Sequence, residues 1–274
     1  MTLPAISRNG HSGGVMASII WTRRRLLLDS VWVLTRQRFA GSTLGLAWLV
    51  LGPALLLGLY AVIYLVIFKV RPVGMEPLTY VLYIFSGLVP LLAFSQGLMS
   101  GTVSLSGSRE LLLNTVFPPE LVPLRETMIA MITLAIGLAV TGALGLALGK
   151  LAWTWLLVPV FIALMLIFLV GLCWTLALIN LIFKDIQQVL TYVTIMLLVA
   201  SPIAYTPDML PDQLRLLIYV NPLAYFVIAF QSLIVLGEVP ALPIVIGSVG
   251  FALGSFLLGS WVFTHAKVVF FDYA

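Results

Sequence analysis

Six long apolar runs with no Asp, Glu, Lys, Arg or His constrain this chain more than any motif in it. They cover residues 46–68, 80–104, 127–148, 154–183, 186–205 and 241–264. A helix of about 20 apolar residues crosses the hydrocarbon of a bilayer. No water is present there to satisfy open backbone groups, so each run has to be helical. Composition agrees. The chain is 62% hydrophobic and 9% charged, whereas a soluble domain has about 25% charged residues. These observations predict an all-α polytopic membrane protein with six transmembrane helices.

The remaining segments order themselves around the spans. Residues 1–14 read as a disordered tail. Residues 15–45 alternate apolar clusters with Arg23, Arg24, Arg25, Arg36 and Arg38. They predict an amphipathic helix in the headgroup plane, with Trp21 and Trp32 at the boundary. Residues 46–274 form the six-span domain. Pro53 is expected to kink the first span, and Gly87, Pro90 and Gly97 to make the second irregular. The segment 216–236 is apolar enough for a seventh span, but prolines crowd it, and Asn221-Pro222 ends one short helix and starts another. It reads as two short re-entrant periplasmic helices, near 208–220 and 222–236. With both termini cytoplasmic, ten Lys and Arg lie inside and four outside, in line with the positive-inside rule. The net charge of +4 is thus a matter of membrane orientation and membrane lipids, and no nucleic-acid partner is expected.

The chain offers little chemistry of its own. Intramembrane ionisable groups, which ion-coupled carriers and voltage sensors use, are missing from the spans. Gly149-Lys150-Leu151 lacks the Ser or Thr of a phosphate-cradling loop, and Leu144 stands where its first Gly would be. The single cysteine, Cys173, and two histidines make neither a metal site nor a nucleophile constellation. No cleavable signal is evident. These absences leave open a sodium-coupled carrier that uses backbone carbonyls, and otherwise point to energy entering from another protein. The loop 107–126, rich in charge between two spans, is the candidate entry, through Arg109, Glu110, Leu113, Phe117, Pro118 and Glu120. Lys184-Asp185, a two-charge break between spans, is a smaller second contact. Tyr60, Tyr64, Tyr205, Tyr225 and Phe226 gather towards the outer half. They suit either an interfacial aromatic belt or stacking against sugar rings. Small-xxx-small spacings at Gly97/Gly101, Gly145/Gly149 and Gly250/Gly254 fit helix packing within a subunit or between two.

Four motifs in order then resemble one family. Arg38-Phe39, Gly41-Ser42, Leu44-Gly45, Trp48 and Pro53 resemble the entry to the first span in permease subunits of polysaccharide ABC exporters. Asn114, Phe117-Pro118 and Pro123 look like the family's first cytoplasmic loop, Lys184-Asp185-Ile186 like its second, and Asn221-Pro222 like its periplasmic re-entrant segment. The resemblance runs from about Val15 to the C-terminus.

The resemblance implies a homodimer in the bacterial inner membrane, bound to two nucleotide-binding ATPase subunits. ATP and magnesium are held by that partner, with no cofactor and no enzyme activity in this chain. The cargo it implies is a lipid-linked glycan of O-antigen, capsule or teichoic-acid type. Arg36, Arg38 and Trp48 would then meet the lipid carrier, and the outer aromatics the glycan. An exporter of a drug or simple lipid with the same architecture is the alternative. A membrane-embedded enzyme or an ATP-independent channel is the reading from a different class.

Overall fold

The computed structural model describes residues 12–67, 75–205, 216 and 218–266. All its regular elements are helical, with no strand among the described residues. In chain order they are α1 (Ser12–Thr22), α2 (Arg24–Arg38), a 3-10 turn (Gly45–Ala47) that leads into α3 (Trp48–Ala61), and a π turn (Val62–Ile67) that continues it. Then come α4 (Pro77–Gly107), α5 (Arg109–Asn114), α6 (Leu121–Ala147) and a 3-10 turn (Trp153–Leu157) into α7 (Val158–Ile182). The last described elements are α8 (Ile186–Ala200), α9 (Pro222–Gln231), a π turn (Ser232–Leu236) and α10 (Leu242–Ala266).

Among the described residues, four helical units are long and apolar enough to cross a membrane: α4, α6, Trp153–Ile182 and α10. This is a multi-pass membrane protein. The continuous helical stretch 48–67 adds a fifth piece of about 30 Å at 1.5 Å per residue. Helices α8, with 15 residues, and α9, with 10, are shorter.

The N-terminal region differs from the single interface helix expected over 15–45. Helix starts at Ser12, and the chain turns at Arg23 (φ −102°, ψ 16°) to give two helices. They pack on different partners, α1 on α10 and α2 on α6. The second span also departs from expectation. It is one unbroken 31-residue helix that contains Pro90. Neighbouring helices pack along it, which is how membrane helices tolerate an internal proline.

Helix α4 is the axis of the molecule, buried along most of its length against α6, α7 and α9. Its small residues are contact points. A methyl group at Gly97 would collide with Leu169 and Ala130, and one at Gly101 with Cys173. Outward from these glycines, Phe168 stacks between Phe94 and Phe226, with centroids 5.4 and 5.7 Å apart. Helices α7 and α10 approach most closely. A side chain at Gly171 would run into the Ser255 backbone, and one at Gly259 into Gly171 itself. The Ser255 hydroxyl donates to the Phe168 carbonyl at 3.0 Å, which seals that crossing. The turn after α6 passes through Gly149, whose φ of +68° places it in the left-handed region. The Lys150 amide reaches back to the Gly145 carbonyl at 2.8 Å, closing the turn.

Candidate functional site

The loop 107–126 folds into a short helix and a bracketed return. Ser108 ends α4, and α5 follows for 6 residues until Thr115 takes up an extended conformation. Prolines 118 and 119 then block helix formation, because they supply no amide hydrogens. Their carbonyls instead accept from the amides of Leu121 and Val122 at 3.1 Å, which starts α6. The two ends of the excursion meet. Arg125, one turn into α6, donates to the Ser108 hydroxyl at 2.7 Å, and its guanidinium lies 5.8 Å from the Phe117 ring centroid. The loop is thereby held as a unit on the end of α4 and α6.

An apolar cluster anchors it from below. Leu112 of α5, Leu27 and Val31 of α2, Leu121 and Val122 of α6, Trp174 of α7 and Phe263 of α10 are buried together. The Trp174 indole donates to the Glu120 carbonyl at 3.0 Å. The start of α6 is thus tied to the middle of α7. No local pattern announces this tie, since Trp174 sits inside an apolar run with nothing to mark it.

Lys184 and Asp185 occupy the same end. The Asn180 side chain, near the end of α7, donates to the Ser106 hydroxyl at 3.2 Å. Gln187, at the start of α8, donates to the Asn180 side-chain oxygen at 3.1 Å. This relay joins the ends of α4, α7 and α8, so the two charged interruptions, far apart in sequence, face one side.

Within this face the predicted residues separate. Arg109, Glu110, Leu113, Lys184 and Asp185 are exposed, while Phe117 and Pro118 are half-buried. Glu120 is only 4% exposed, so it supports the loop from within. Sequence reading missed Val116, an apolar residue 99% exposed at the loop tip. A cavity of about 650 Å³ separates α2 from α5, and Asp29, Gln37, Ser108, Glu110 and Arg125 are among the residues lining it.

Arg36 and Arg38 lie exposed in the last turn of α2. Arg36 covers the Trp32 ring at 4.5 Å, as Arg24 covers Trp21 at 4.8 Å. Past the turn at Gly41, the Trp48 indole donates to the Ser42 hydroxyl at 3.1 Å, fixing the entry to α3.

The outer aromatics are spread over several roles. Tyr60 is half-buried against the main core. The hydroxyl of Tyr205 donates to the Ala200 carbonyl, and that of Tyr225 to the Tyr219 carbonyl, each at 3.0 Å. The Tyr225 ring packs on Phe251 at 5.5 Å. Phe226 is fully buried in the ring stack on Phe168. The side chain of Tyr64 lies outside the described residues. Among the described residues no cluster of His, Cys, Asp and Glu could hold a metal ion.

No family model matches the chain. Over most of its length, however, it is similar to proteins named as O-antigen export permeases. An O-antigen export system permease protein RfbA of Myxococcus xanthus is 26% identical over 217 residues, covering 78% of this chain and 82% of the relative. A Klebsiella pneumoniae protein of the same name is 27% identical over 218 residues, covering 77% and 82%.

Proposed function

We propose that this chain is the membrane-spanning subunit of an ATP-driven exporter that carries an O-antigen-like polysaccharide, linked to a lipid, across the bacterial inner membrane. The observation that carries this reading is the similarity, over more than three quarters of the chain, to O-antigen export permeases. The relatives' names give no support to a drug or simple lipid as cargo.

The geometry supports a six-span topology with both termini in the cytoplasm. Helices α4 and α7 end, and α6 and α8 begin, at the α5 face. The end of α10 meets α1 and α2 there too. Helix α9 starts beside Ser201, past the far end of α8, and its π turn finishes beside Thr154, between α6 and α7. A segment whose two ends share one side favours re-entry over a seventh crossing. The first re-entrant helix, near 208–220, lies outside the described residues except at 216 and 218–220.

The α5 face is the docking surface for two ATPase subunits, which bind the ATP and magnesium that this chain has no loop to hold. Arg109, Glu110, Lys184 and Asp185 form its charged part and Leu113 and Val116 its apolar part. Closure of the ATPases pushes α5. The Arg125–Ser108 bracket and the Trp174–Glu120 bond pass that push into α4, α6 and α7. Two copies of the chain enclose the glycan path, with Arg36, Arg38 and Trp48 beside the lipid carrier's charged group.

The test is charge reversal on this face: Arg109→Glu with Glu110→Lys, and separately Lys184→Glu with Asp185→Lys. Each pair should weaken ATPase co-purification by about tenfold, roughly 1.4 kcal/mol of binding, and lower glycan export with it. Full retention of ATPase and export in both pairs would sink the docking assignment.

A further inference from the structure

The break after α8 is held by side chains that the transport reading does not use. Helix ends at Ala200, and residues 201–205 run without regular structure, most of them buried. A broken backbone at membrane depth leaves carbonyls that lipid cannot satisfy. Here they are taken one by one. The Gln231 side-chain amide donates to the carbonyls of Pro202 at 3.0 Å and Ile203 at 3.1 Å, and lies 3.4 Å from that of Tyr83 in α4. The Tyr80 hydroxyl donates to the Ala204 carbonyl at 2.8 Å. The Asn221 amide donates to the Ser201 hydroxyl at 3.0 Å, while its oxygen caps α9 by accepting from the Leu223 amide at 2.9 Å.

Gln231 is the centre of this set. It is 1% exposed, and three carbonyl oxygens around one nitrogen fix which end of the amide is the donor. Its other end, Oε1, is buried without a partner. Helix α4 makes room for Gln231. A methyl group on Gly87 would come within 2.9 Å of the Gln231 amide nitrogen and 2.8 Å of Val227.

The rest of α8 is held much less firmly. Leu190 is its one buried residue, and Tyr192, Met196 and Val199 are exposed. An apolar cavity of about 550 Å³ separates α8 from α4, α7 and α10, with Leu190, Val193 and Leu197 on one wall and Phe168 and Gly254 on another. Helix α8 thus has space behind it and a fixed outer end.

We propose that Gln231 is a positioning residue for transport: it pins the outer end of α8 to α4 and α9, so that α8 swings about residues 201–205 when its inner end is moved. This rests on the exporter reading, in which the inner end of α8 lies at the ATPase face. Without the pin, motion of α8 dissipates at its outer end, and ATP is hydrolysed without glycan movement.

The test uses the intact complex in nanodiscs, open to water on both faces. Ile203 is 7% exposed and the natural cysteine, Cys173, is fully buried, so Ile203→Cys gives one reporter thiol for a water-soluble maleimide. In the parent background it should be protected. Gln231→Met keeps the volume and removes the donor. It should raise labelling by about tenfold, the scale of a lost buried hydrogen bond or two. Gly87→Ala, which disturbs the same amide from the α4 side, should do likewise. In the complex without the reporter, both variants should keep ATPase turnover and subunit assembly while glycan moved per ATP falls. Unchanged labelling in both variants overturns the pin. Raised labelling with an unchanged ratio of transport to ATP hydrolysis overturns its role in transport. The labelling arm does not need the exporter reading. A parent complex that moves no glycan while its variants still lose protection would count against that reading and leave the pin standing.

Discussion

Single atoms decide how tightly the helices meet. At the crossing of α7 and α10, Gly171 and Gly259 present backbone to backbone, and a Cβ on either would overlap main-chain atoms that no rotamer change can move. Overpacking of this kind costs about 1–3 kcal/mol. Gly171→Ala and Gly259→Ala should therefore lower the thermal midpoint of the detergent-solubilised protein. Gly250→Ala and Gly254→Ala should not. Nothing lies within 4 Å of a Cβ built at either position, and Ala is the better helix former by roughly 1 kcal/mol. The contrast between the two pairs is the measurement. Spacing alone marks Gly250/Gly254 as readily as Gly97/Gly101, and only the packed partners tell them apart. Trp174 teaches the same lesson. Its indole bond to the Glu120 carbonyl spans 54 residues of sequence, and no local pattern encodes a partner that distant.

At the level of elements, short pieces carry the division of labour. Helix α5 is too short to be stable alone, since isolated helices below about 12–15 residues are marginal in water. Leu112 in the apolar cluster and the Arg125–Ser108 bracket hold it in place. Its outward side offers Leu113, 53% exposed, with Val116 beyond it. Exposed apolar groups rimmed by charge mark protein contact sites. Val116→Asp should reduce ATPase association, read by co-purification, while leaving the amount of protein in the membrane unchanged. Equal loss of both would place Val116 in folding rather than docking. The charged, proline-rich composition of 107–126 made this loop visible in the sequence. The burial of Glu120 was not visible there, because it depends on α6 and α7 closing over the residue.

On the scale of the whole molecule, one chain leaves much apolar surface uncovered. Leu55 and Leu59 on α3, Met196 and Val199 on α8, and Leu257 and Trp261 on α10 all point away from the core. Lipid covers such faces in a membrane protein, and so does a second copy. The exporter reading predicts that the purified assembly contains two copies of this 29.9 kDa chain with two ATPase subunits. Native mass measurement checks this. A complex with one copy that still moves glycan would refute the dimer.

Hydropathy and charge were enough to establish that this chain is helical and lies in a membrane. Charge-free apolar runs admit no other backbone, and 9% charged residues cannot clothe a soluble surface. The same pattern also marked where charge interrupts the spans, because charge at mid-depth is costly. Hydropathy places 107–126 and Lys184-Asp185 on the same side of the spans, and packing adds the Ser106–Asn180–Gln187 relay that joins them. Packing also carried α4 unbroken through Pro90, buried Phe226 and pinned residues 201–205 with Gln231. Each of these rests on groups that meet across many residues of chain, and hydropathy, which is a local quantity, carries no information about which helices become neighbours.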